Sequence, residues 1–102
     1  MNNDAIAPFR WAIFGTGQVS RKFVLDMRQL SGQAVVTRVA SRNPENAQRF
    51  ARDLAPDAQA SSYEEAAAAE DVDGIYIATP PAMHKPHALM AIAVGKPVLV
   101  EK

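Results

Sequence analysis

Short apolar runs alternate along this chain with longer stretches in which apolar residues recur every three or four positions. A continuous apolar run suits a strand covered on both faces, and the wider spacing suits a helix with one buried stripe. The runs are Trp11-Ala12-Ile13-Phe14, Ala34 to Ala40, Ile75-Tyr76-Ile77-Ala78-Thr79 and Pro97-Val98-Leu99-Val100, with a weaker edge candidate at Ala58-Gln59-Ala60. Phe23, Val24, Met27 and Leu30 mark a first helix that Ser31-Gly32 ends. Ala47, Phe50, Ala51 and Leu54 mark a second, with Asn43 as its cap, Pro44 at its first position and Pro56-Asp57 closing it. Ser62 and Glu65 form a capping box for an alanine-rich third helix from Tyr63 to Ala69. A fourth runs from Pro86 to Val94, with Gly95 just past its end.

This order predicts an α/β fold, a doubly wound parallel sheet of the Rossmann kind with five strands. Residues 10–102 make one domain, and residues 1–9 read as a frayed polar leader. At 102 residues and 48% hydrophobic, the chain can build one modest core. Eleven basic and eleven acidic side chains balance without a basic stripe, so no nucleic-acid partner is expected. No apolar run approaches the roughly 20 residues of a membrane span, so no membrane partner is expected either. The chain has no cysteine, which removes thiolate chemistry and disulfides and suits the cytoplasm.

The first strand runs into Gly15-Thr16-Gly17-Gln18-Val19-Ser20 and then a helix. There Gly15 permits a tight turn, Gly17 lets backbone approach a pyrophosphate, and the helix start presents amide donors. Gly15, Thr16, Gly17, Gln18 and Val19 are therefore candidate dinucleotide contacts, although Ser20 stands where the fingerprint has its third glycine. A plain turn that needs glycine is the competing reading, and the placement between strand and helix favours the cofactor. The second strand ends on Ser41-Arg42, where an NAD site carries a carboxylate for the ribose hydroxyls. A guanidinium pairs with a 2′-phosphate that an acid repels, so Ser41 and Arg42 favour NADP, with NAD as the alternative. A solvated arginine beside a helix cap is the bland reading. Thr79 and Pro80 form a rigid turn placed to wall the cofactor's ribose and nicotinamide side, or simply a strand stopped by proline. His84 and His87 lie three apart, but no cysteine or patterned carboxylate accompanies them and no metal is expected.

The stretch Thr79-Pro80-Pro81-Ala82-Met83-His84-Lys85-Pro86-His87-Ala88, followed by Gly95-Lys96-Pro97-Val98-Leu99-Val100-Glu101-Lys102, closely resembles the Gfo/Idh/MocA family of oxidoreductases. The resemblance covers residues 10 to 102. It implies an NAD(P)-dependent enzyme that moves hydride between a nicotinamide and a sugar, cyclitol or diol carbinol. It implies a catalytic Lys102, whose ammonium would hydrogen-bond the reacting oxygen, and cofactor-side places for His84 and Glu101. The family's α+β substrate domain, which handles the proton and binds the sugar or polyol, is not in this sequence. The expectation is therefore an incomplete enzyme; a stand-alone dinucleotide-binding module without turnover is the alternative. A methyltransferase would ordinarily carry an acid at Ser41 and ranks behind both. The final strand would form a sheet edge open to pairing with another copy.

Overall fold

The computed structural model describes residues 7–30 and 32–101. Of the expectations above, Lys102, Ser31 and the first six residues of the leader lie outside them. Five strands, β1 (Phe9–Phe14), β2 (Ala34–Ala40), β3 (Gln59–Ser61), β4 (Gly74–Ile77) and β5 (Val98–Val100), form one parallel sheet in the order β3-β2-β1-β4-β5. Four α-helices connect them: α1 (Gln18–Met27), α2 (Pro44–Leu54), α3 (Tyr63–Ala68) and α4 (His84–Ala93).

Period-two alternation divides β1 and β4 between two cores, and β2 is divided likewise once an extra residue at Thr37 shifts its register between Val36 and Val39. Ile13, Val36, Val39 and Tyr76 face α1 and α2, against Val24, Met27, Phe50 and Leu54. Ala12, Phe14, Ile75 and Ile77 face the opposite side, against Ala66 and Ala67 of α3 and Ala91 of α4. Both faces of β1 and β4 are thus covered, which is why their sequences read as unbroken apolar runs. Arg10 clamps the entry of β1 to the turn before β4. Its backbone N–H donates to Asp73 at 2.8 Å, and its guanidinium donates to both oxygens of the same carboxylate at 2.9 and 3.0 Å.

Several boundaries differ from expectation, each for a local reason. β1 starts at Phe9, inside the stretch read as leader, because the Phe9 ring packs on Trp11 at 4.8 Å and fills the space a Gly74 side chain would need. The first helix tightens into a 3-10 turn over Arg28–Leu30, which swings Leu30 off the buried stripe and leaves it exposed. β4 stops at Ile77 and Thr79 belongs to the following turn. After a 3-10 turn over Pro81–Met83, α4 begins at His84 and accommodates Pro86 in its first turn, where the missing N–H has no helical partner to lose. Ala69 is extended and ends α3 one residue early. Pro97 precedes β5, lending only its carbonyl, which accepts from the Ile75 N–H at 3.0 Å. Among the described residues, no helix is long and apolar enough to cross a membrane.

Candidate functional site

Connections leave β1 toward β2 on one side and β4 toward β5 on the other, so the strand order reverses between β1 and β4. A crevice opens at the carboxyl ends of these strands. Gly15 turns the chain there with φ of 103°, and a Cβ on it would stand 2.9 Å from the Ala78 carbonyl oxygen. The fold itself requires that glycine. Gly17 differs: its φ is −86° and a Cβ on it would meet nothing within 4 Å. It is the N-cap of α1, whose first turn has neither a capping side chain nor an acidic residue. The amide donors and positive dipole end of α1 are therefore left for an external anion, and the open flank of Gly17 fits a pyrophosphate.

Three clefts touch this loop, the smallest of them lined by Thr16, Gly17, Gln18 and Arg21 over Phe50 and Leu54, and two matter for a dinucleotide. The first, about 660 Å³, gathers Gly15, Thr16 and Gly17 with Ser41, Arg42, Thr79 and Pro80. Its lining also includes Asn43, Asn46, Tyr63 and Met83, and among these residues Arg42 is the one charge, with no carboxylate. The second, about 550 Å³, gathers Gln18, Val19 and Glu101 with Lys22, Phe23, Asp26 and Tyr76. There the Tyr76 hydroxyl donates to Glu101 Oε1 at 2.7 Å, and the Tyr76 ring stacks on Phe23 at 3.8 Å. Burial, then the Glu101 carboxylate, holds the Tyr76 phenol well above its ordinary titration range, so it is a permanent donor.

His84 lines neither cleft. Its Nε2–H donates to the Thr79 carbonyl oxygen at 2.7 Å, which places it behind the turn that shapes the first cleft. His87 is buried behind the same turn, with Nδ1 2.9 Å from the Thr79 hydroxyl. Arg38 points away from the crevice to Asp71 at 3.1 Å and Ser61 at 2.9 Å, as a position inside β2 implies. Tyr63, Asn46, Phe23 and Tyr76 are lining residues that pattern reading passed over. The capping box at Ser62 was a usable signal for Tyr63, since it sets that residue at the first helical position directly after β3. Asn46 follows the same logic, one turn from the Asn43 cap.

The family described as "Oxidoreductase family, NAD-binding Rossmann fold" (GFO_IDH_MocA) matches residues 9–102. The chain is 38% identical over 94 residues to an inositol 2-dehydrogenase of Acidiphilium cryptum, covering 91% of this chain and 28% of that one. It is 37% identical over 94 residues to the mouse trans-1,2-dihydrobenzene-1,2-diol dehydrogenase, again covering 91% and 28%. A solved 3-ketoreductase from Actinomadura kijaniata, in complex with NADP and TDP-benzene, superposes with a TM-score of 0.82 at 27% identity, over 93% of this chain and 29% of that one. The chain thus spans about 28% of the length of these curated relatives.

Proposed function

We propose, from the premise that this chain belongs to the Gfo/Idh/MocA oxidoreductase family, that it is the dinucleotide-binding portion of an enzyme that prefers NADP and acts on a sugar, cyclitol or diol. One observation carries the cofactor preference: the first cleft presents one guanidinium, Arg42, and no carboxylate beside the open flank of Gly17. In such a cleft a 2′-phosphate gains a charge-assisted partner, with Glu64 and Glu65 lining the adjoining cleft that shares Ser41, Arg42 and Tyr63. The adenosine end lies in the first cleft, against Ser41, Arg42 and Tyr63, and the pyrophosphate crosses the Gly15–Gly17 turn. The nicotinamide end reaches the second cleft beside Gln18, Val19 and Glu101.

A nicotinamide bound there supplies a hydride acceptor at C4. The chain's own residues supply placement: Tyr76 fixes Glu101, and Lys102, next in sequence, is the proposed donor to the reacting oxygen. As the carbinol carbon gives up hydride and becomes a carbonyl carbon, its hydroxyl proton passes to a base. No residue of the two clefts is proposed as that base. The relatives' names, an inositol and a diol dehydrogenase, support a polyol substrate.

The test is titration of the chain with NADP and NAD. Arg42→Ala should weaken NADP about tenfold, equivalent to about 1.4 kcal/mol, and leave NAD unchanged. Equal affinities in the parent chain overturn the preference, and binding of neither overturns the reading. The second reading, binding without turnover, is favoured by the completeness of the first cleft within this chain. Hydride transfer from myo-inositol to NADP by the 102-residue chain alone would overturn both the second reading and the incompleteness of the enzyme.

A further inference from the structure

Thr79 is fixed from more directions than the end of a strand requires. It is 6% exposed, it walls the first cleft, and its amide nitrogen lies 3.2 Å from where a Gly15 Cβ would stand. Behind it α4 sets two imidazoles three residues apart. His84 takes the Thr79 carbonyl, and His87, 2% exposed, takes the hydroxyl through Nδ1 at 2.9 Å. The His87 ring is itself wedged, edge-on to Phe14 at 5.2 Å and against Tyr63 at 4.3 Å. Thr79 and Tyr63 come from different elements and both line the cleft, and His87 is the side chain that touches both.

We propose that His87 is a positioning residue for the dinucleotide: as a neutral imidazole it fixes the Thr79 hydroxyl and the Tyr63 ring, and so sets the width of the first cleft. The proposal rests on the cofactor reading above and extends it to a residue that contacts no ligand. A neutral imidazole satisfies the Thr79 hydroxyl without carrying charge into an aromatic pocket. Burial holds the His87 pKa below its ordinary value, Glu64 of α3 opposes the shift, and His84 adds to it. Tyr63 is the other titratable group against the ring; Phe14 and Thr79 bring none. Acid therefore charges a ring that has no carboxylate hydrogen-bonded to it, draws it from its pocket and loosens the cleft.

The test uses the full 102-residue chain and NAD, because NAD lacks the 2′-phosphate that itself titrates near about pH 6. Calorimetric titrations from about pH 5 to 8 span the histidine range. In the parent chain, NAD affinity should fall as pH drops below the ordinary histidine value. His87→Phe, which keeps the ring packing, should bind NAD about fivefold more weakly at the upper end, the loss expected for one neutral hydrogen bond, and should lose the acid-side dependence. Thr79→Val should behave alike, Thr79→Ser should retain affinity, and the double variant His87→Phe with Thr79→Val should be no worse than either single change. His84→Gln should keep the acid-side dependence. Unchanged NAD affinity of His87→Phe at every pH, or additive losses in the double variant, overturns the proposal. If His87→Phe does not fold, the contrast of Thr79→Val with Thr79→Ser decides it, and equal affinities overturn it. A parent chain that binds neither NAD nor NADP overturns the cofactor reading and this proposal with it, whereas a binding parent with an indifferent His87→Phe overturns this proposal alone.

Discussion

Gly15 and Gly17 stand two residues apart in one loop and answer to different demands. Gly15 has a positive φ and a backbone oxygen 2.9 Å from its missing Cβ, so Gly15→Ala should lower stability by about 1–3 kcal/mol. Gly17 has neither constraint, so Gly17→Ala should cost only about 0.5–1 kcal/mol, that of an alanine at an N-cap, yet it should weaken dinucleotide binding by crowding the approach of the pyrophosphate. Thermal melts beside ligand titrations check both; a Gly17→Ala chain that melts early but binds normally would reverse the assignment. Ser20 is the remaining residue of this motif. Its hydroxyl is fully buried with no hydrogen-bond partner among the described residues. Removing an unsatisfied buried group recovers its desolvation penalty, so Ser20→Ala should raise stability by about 1 kcal/mol. The glycines and Arg42 were legible in the sequence because spacing after a strand exposes them. His87 was not, because nothing in a histidine's neighbours along the chain tells whether the fold will bury it.

At the scale of elements, the strands were legible wherever both faces are buried, since β1 and β4 then need apolar residues at every position. The caps were equally readable. Asn43 accepts from the Glu45 N–H at 2.9 Å, and Ser62 and Glu65 satisfy each other's backbone amides at 3.0 Å. Ser62→Ala should therefore cost about 1 kcal/mol, read as a fall in melting temperature of about 4–8 °C. Because Tyr63 follows the cap, the same change should also weaken NADP; a lower melting point with intact binding would detach α3 from the cleft. Turns of mixed geometry were less readable. Leu30 matches helical spacing, and only the local tightening to a 3-10 turn removes it from the buried face.

For the molecule as a whole, three groups weaken the fold in acid: His87, Asp73, and Glu65, which the Ser62 backbone N–H and then its side chain hold below the ordinary carboxyl value. The Arg10 guanidinium and backbone N–H hold the Asp73 carboxyl down from 3.8 to about 2. A lowered acid contributes its stability above the unfolded value and loses it as pH falls through the folded one, so this contribution disappears between those two pH values. His87, lowered by burial, follows the same sign from a higher start: its contribution is complete above the ordinary histidine value of 6.5 and declines as pH falls below it. Denaturant midpoints should therefore decline in two acid stages, the upper one absent in His87→Phe and the lower one reduced in Asp73→Asn to the share that Glu65 keeps. A single stage in the parent chain would show that either His87 or the two carboxyls carry no such linkage.

The central place of β1 also shapes how the chain comes off the ribosome. Arg10 and its clamp partner Asp73 are 63 residues apart. At about 5–20 residues per second, the β1 segment waits roughly 3–13 s for β4 to be synthesised. β2 can pair with it meanwhile, but the other flank of Ala12-Ile13-Phe14, sealed in the finished sheet by Ile75 and Ile77, stays unpaired. The nascent polypeptide therefore carries an unpaired apolar edge until β4 has been made, which is when a chaperone or a neighbouring nascent chain has access to it.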